Sequence, residues 1–152
     1  MARATGLLSD LLTAGLARHT RSLVANGHFN GHPDLVVKGQ YRNDAVASGA
    51  PDKGVEIKST RNRTGAVDTH GARAQWMCVF VYGVDQVTEP AVDREPTKFH
   101  AIYLARVEPS DFRKNARGDL GTRTATLDKD GMAKLRAKPV YLDFPAKVKT
   151  IE

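Results

Sequence analysis

The sequence predicts an α/β sandwich with a mixed central sheet. Three observations carry that prediction. The chain opens with an amphipathic helical stripe, short β-rich runs follow between Gly-, Pro-, Asn- and Asp-containing turns, and further helical stretches are interspersed among those runs. At 152 residues the chain is expected to form one domain over 1–152, large enough to bury a core without disulfides or structural metals.

The first element is a helix from about Thr5 to Ala25. Leu8, Leu11, Leu12, Leu16, His19 and Leu23 recur at three- and four-residue steps, and Asn26-Gly27 is a ready stop. Residues 26–33 are dense in turn formers and read as a loop. A short β run, Asp34 to Gly39, follows Pro33. The segment 43–54 reads as the turn of a long hairpin whose second strand is Val55 to Thr60. A helix is expected over about Val67 to Trp76, then a strand over Trp76 to Gly83. Residues 85–97 hold Asp85, Glu89, Asp93 and Glu95 with a single arginine, an acidic connection unsuited to a polyanion. Lys98 to Val107 is apolar on both faces and is expected to be a central strand paired with 76–83. A short helix beginning at Pro109, a basic loop over 113–123, a helix near 128–137 and a strand over 139–144 close the chain.

Composition narrows the function classes. Cys78 is the only cysteine and lies in an apolar run, which excludes a disulfide framework or a cysteine-rich zinc module and reads as a core thiol. No stretch has the length of a membrane span. Ser9 and Asp10 interrupt any apolar signal core, so a reducing cytoplasm is the expected compartment. The formal charge of +6 is uneven: residues 98–152 carry 12 Lys/Arg against 7 Asp/Glu, while residues 1–97 carry 11 against 10. Such an excess fits a polyanionic partner.

The chemistry is concentrated at Glu56 and Lys58. In a strand these two project together while Val55 and Ile57 point the other way. An acid and a base at interior positions are costly unless paired or used. Asp34 opens the preceding strand, and pairing through the 43–54 turn would bring it near Glu56. Two converging carboxylates form a hard oxygen site suited to Mg²⁺ (or Mn²⁺), which can activate a water and stabilise charge on a phosphoryl oxygen. Lys58 adds an ammonium to orient the water or stabilise the transition state.

Pro33-Asp34 followed, after 21 residues, by Glu56-Ile57-Lys58 resembles the PD-(D/E)xK nuclease signature. The other Pro-Asp pair, Pro51-Asp52, lies too close to Glu56 to come from a separate strand. The family includes restriction endonucleases, Holliday-junction resolvases and recombination exonucleases. The resemblance implies a restriction-endonuclease-like αβββαβ core over about residues 5–107, a mixed sheet flanked by helices, with residues 108–152 as basic decoration. It also implies that Asp34 and Glu56 bind the metal, with the Ile57 carbonyl as a third ligand, and that Lys58 assists the water. Some branches add a glutamine on the helix after the second strand, a role open to Gln75. The interval between Ala25 and Pro33 leaves room for only a very short first strand near Phe29, unless the opening helix ends earlier.

Arg61 and Arg63, just after the Glu-x-Lys strand, are candidates to clamp flanking phosphates, the alternative being a solvated turn. Arg113, Lys114, Arg117 and Arg123 are the better candidates for nucleic-acid backbone binding. Lys134, Arg136 and Lys138 read as a solvated helix end. His28 and His32 lie in a Gly-rich loop without a cysteine partner, which argues against zinc. For His32 a turn-packing role is favoured over contact with the metal or a phosphate, and His70 is undecided. Trp76, Phe80 and Tyr82 read as core. The expectation is an Mg²⁺-dependent endonuclease acting on DNA, with RNA not excluded, working as a homodimer or with an accessory protein. The alternatives are an inactive nucleic-acid-binding protein of the same fold and a basic structural or interaction protein.

Overall fold

The computed structural model describes residues 4–114 and 124–144. In chain order it comprises α1 (Ala4–His19), β1 (Leu23–Ala25), β2 (Leu35–Val37), β3 (Gly54–Thr60), β4 (Asp68–Thr69), β5 (Gln75–Gly83), β6 (Lys98–Val107), β7 (Phe112–Lys114), β8 (Ala125–Leu127), α2 (Lys129–Arg136) and β9 (Pro139–Leu142). The principal sheet has the order β1-β2-β3-β5-β6-β9, and β4-β8-β7 form a second, three-stranded sheet. The principal sheet is mixed: β3 and β5 run parallel, while its other neighbours are antiparallel. This is the predicted α/β architecture with a mixed central sheet.

Helices cover both faces. Leu12, Leu16 and Ala17 of α1 pack on Leu35, Ile57, Cys78 and Phe80. On the other face Met77, Val79, Val81, Tyr103 and Val107 meet Leu127 of β8 and Met132 and Leu135 of α2. The alternation along β5 divides its residues between these two cores, Met77, Val79 and Val81 against Cys78 and Phe80. Cys78 is buried as expected, and that burial pushes its thiol up to about 12. No helix among the described residues is long and apolar enough to cross a membrane.

Three expectations are corrected. The opening helix stops at His19 rather than Ala25, because Thr20 turns its hydroxyl to the Leu23 carbonyl and Leu23–Ala25 pairs with Leu35–Val37. The short first strand is therefore β1, and Phe29 lies exposed in the following loop. No helix forms over 67–76. Asn62 accepts bonds from Thr64, Gly65 and Gly71 take positive φ, and Asp68–Thr69 pairs with β8, so turns and a ladder use the backbone groups a helix would need. β6 is interior and pairs with β5 as expected; Ala101, Tyr103, Ala105 and Val107 are buried on one face, while on the other Phe99 and Ile102 pack on the α1 core and Leu104 is exposed. Finally, Arg113 and Lys114 belong to a strand, not to the expected loop.

Candidate active site

The site is built by the β2–β3 hairpin. β2 pairs antiparallel with β3, Leu35 opposite Val55 and Val36 opposite Gly54, which sets Asp34 beside Glu56. The approach is close at Gly54, where a Cβ would collide with the Leu35 carbonyl and the Pro33 ring. Leu35 and Ile57 point to the α1 core, so Asp34, Glu56 and Lys58 share the opposite face. All three line one cleft of about 570 Å³.

Each carboxylate is engaged. Asp34 Oδ2 accepts the Ile57 backbone N–H at 2.7 Å. Glu56 Oε1 meets Lys58 Nζ at 2.7 Å, and Glu56 Oε2 accepts from His32 Nδ1 at 2.9 Å. Burial, followed by the neighbouring Glu56 charge, pushes the Asp34 carboxyl up to about 6. Burial also pushes on Glu56, but the His32 hydrogen bond and the Lys58 ammonium outweigh it and hold its carboxyl down, at about 2. The pair is thus split by environment, one carboxylate firmly ionised and the other ready to take a proton. Since both backbone groups of a strand residue face the same neighbouring strand, the Ile57 carbonyl faces the Asp34 side with its N–H.

The described residues contain no group of three or more His, Cys, Asp or Glu side chains arranged to hold a metal ion. Asp34, Glu56 and the Ile57 carbonyl offer three oxygens, and a Mg²⁺ ion held by them would keep most of its coordination sphere as water. A second observation bears on the fit. Gln75 is 3% exposed and lines the cleft, yet its Oε1 is the one buried side-chain oxygen or nitrogen among the described residues without a hydrogen-bond partner. Such an oxygen requires a donor, and water in the cleft, free or on a hydrated cation, would supply one.

Gln75 reaches the cleft from the start of β5, not from the expected helix. His32, expected to pack a turn, instead bonds Glu56; its position two residues before Asp34 was the signal. Sequence reasoning missed Arg73 and Thr69, which line the far wall with His70, because that wall exists only through the β4–β8 pairing. Arg61 donates to Gln86 and Arg63 lies over the Phe144 ring, 5.4 Å from its centre; neither lines the cleft. Arg113 is exposed on the second sheet, and Arg117 and Arg123 lie outside the described residues.

No protein-family model matches the chain, and neither a curated protein nor a solved structure does. The assignment therefore rests on the chemistry of the cleft.

Proposed function

We propose that the protein is a metal-dependent nuclease that hydrolyses DNA phosphodiesters, with Asp34, Glu56 and Lys58 as its catalytic core. One observation carries the reading: two carboxylates of opposite pKa displacement and one ammonium converge on one face of a hairpin, at the base of a polar cleft. The order helix, three antiparallel strands, crossover and parallel strand supports kinship with the αβββαβ core, with an irregular crossover in place of its second helix.

Asp34, Glu56 and the Ile57 carbonyl would hold Mg²⁺ or Mn²⁺, which supplies a Lewis acid and a water of lowered pKa. Lys58 stabilises negative charge that develops on the phosphoryl oxygens and holds Glu56 in its rotamer through the bond to Oε1. His32 fixes the other Glu56 oxygen, which makes it a positioning residue. Gln75 accepts a hydrogen bond from water in the cleft. Arg73, exposed at the cleft and free of ion pairs among the described residues, takes a phosphate next to the scissile one.

The test is a cleavage panel of duplex, single-stranded and four-way-junction DNA, with an RNA arm, in Mg²⁺ or Mn²⁺. Cleavage is expected to vanish with chelator and in Asp34→Asn and Glu56→Gln, and to fall at least a hundredfold (~10²) in Lys58→Ala. Intact substrates throughout, with binding retained, would favour a binding protein without catalysis.

A further inference from the structure

The second sheet carries a recess that the cleft chemistry does not use. Arg113 of β7 and Lys129 and Arg136 of α2 line a groove of about 400 Å³ together with Thr64, Thr126 and Met132. Lys129 and Arg136 are two helical turns apart and therefore lie on one face of α2, with Met132 between them. None of the three cations has an ion-pair partner among the described residues. The acid in the lining is Asp128, and its carboxylate is committed as the α2 N-cap, accepting the Gly131 N–H at 2.9 Å. Three like charges from two elements around one concavity repel one another in the free protein. The same arrangement concentrates positive potential where a polyanion would lie.

Position connects this groove to the cleft. Thr69, in the cleft, pairs with Ala125, and Arg113 pairs with Thr126 on the far side of the same strand. Arg113, Thr126 and Asp68 share one face of this small sheet and Thr69 and Ala125 the other, so Arg113 projects from the face opposite Thr69. We propose that this groove is a second nucleic-acid-binding site, which grips the phosphodiester backbone away from the scissile bond. The inference rests on the nuclease reading for which bond is cut, but not for whether the groove binds. Its guanidinium groups take phosphate oxygens in pairs, and the Lys129 ammonium acts as a point charge. The ligand chemistry is a phosphodiester backbone, supplied by a single strand or by one strand of a duplex.

The experiment uses the full chain and fluorescence-labelled single-stranded and duplex oligonucleotides, with affinity measured against salt in the absence of divalent ions. Lys129→Ala/Arg136→Ala is compared with Lys38→Ala/Lys53→Ala, which removes two exposed cations from the hairpin turn. The groove variant is expected to bind about tenfold or more weakly. Its log–log salt dependence should be shallower by about 1.4 for single strands, or about 1.8 for duplex if duplex is the ligand. Arg113→Ala should move the slope in the same direction. A slope no different from the hairpin control with both ligands overturns the proposal. Hydrolysis of a dinucleotide, whose single phosphodiester cannot occupy both sites, separates the two claims. A wild type that leaves it and the longer substrates intact removes the nuclease reading, while the salt slopes still decide the groove.

Discussion

The two walls of the cleft are held by different means. On the hairpin side, Asn26 acts as a clamp. Its Nδ2 donates to the Pro33 and Val46 carbonyls at 2.9 and 2.8 Å, and its Oδ1 accepts from the His28 and Val46 N–H groups, both at 3.0 Å. Gly54 and Gly31 bring backbone against backbone where no side chain fits. On the far side, a two-residue strand and the Thr69 hydroxyl, donating to Gly71 and Ala125 carbonyls, hold the wall. Gly71 there has positive φ but open space around it. The difference separates two tasks. On the proposed reading, carboxylates that share a cation need fixed spacing, and the hairpin holds them through many mutually supporting contacts. A wall that meets substrate benefits from fewer constraints.

The sharpest way to break this contrast is at the glycines. Gly54→Ala is expected to cost about 3 kcal/mol, because backbone rather than a flexible side chain blocks the new methyl group. Gly71→Ala should cost about 1 kcal/mol, from the left-handed backbone alone. Urea midpoints measure both, and equal losses would mean that the walls are equally constrained.

Next in size is the removal of the polar ties. Asn26→Ala leaves two carbonyls and two N–H groups of the hairpin loops without their side-chain partner and should cost about 2 kcal/mol. Thr69→Val removes one hydroxyl and should cost about 1 kcal/mol. A larger loss at Thr69 would reverse the assignment of the rigid wall.

After these come the carboxylates themselves, where a shift of about 1.4 kcal/mol is expected. A metal ligand must be deprotonated, and Asp34 is raised to about 6 whereas Glu56 is lowered to about 2. Of the two carboxylates, Asp34 alone takes up its proton between pH 7 and pH 5, so Mn²⁺ affinity should fall about tenfold as the pH drops through that window. Calorimetric titration of Mn²⁺ measures it. An affinity unchanged over the window would remove Asp34 from the ligand set.

The position of the Asp34, Glu56 and Lys58 trio follows from local rules. Period-two alternation put Glu56 and Lys58 on one face, and the turn formers between 43 and 54 implied the pairing that delivers Asp34. The β runs at 75–83 and 98–107 were equally legible, because β-branched and aromatic residues at that density suit a buried ladder. The irregular crossover was not. Residues 67–76 have enough local helical character to suggest a helix, but β8, more than fifty residues later in the chain, captures Asp68–Thr69. The places of Arg73 and Thr69 depend on that long-range pairing, and Gln75 joins a ladder opposite Val107 of β6 instead.

Sequence alone determined what repeats over a few residues: the Leu12 and Leu16 spacing of α1, though not the exposed Leu11, the alternation of β3 and the turn chemistry between strands. Tertiary structure decided which distant segments meet, including the bond from His32 to Glu56, the far wall of the cleft and the gathering of Arg113, Lys129 and Arg136 into one groove. The physical reason is range. Backbone propensity and side-chain alternation act within a turn or a strand, whereas burial and unsatisfied hydrogen bonds are resolved only when the whole chain has closed on itself.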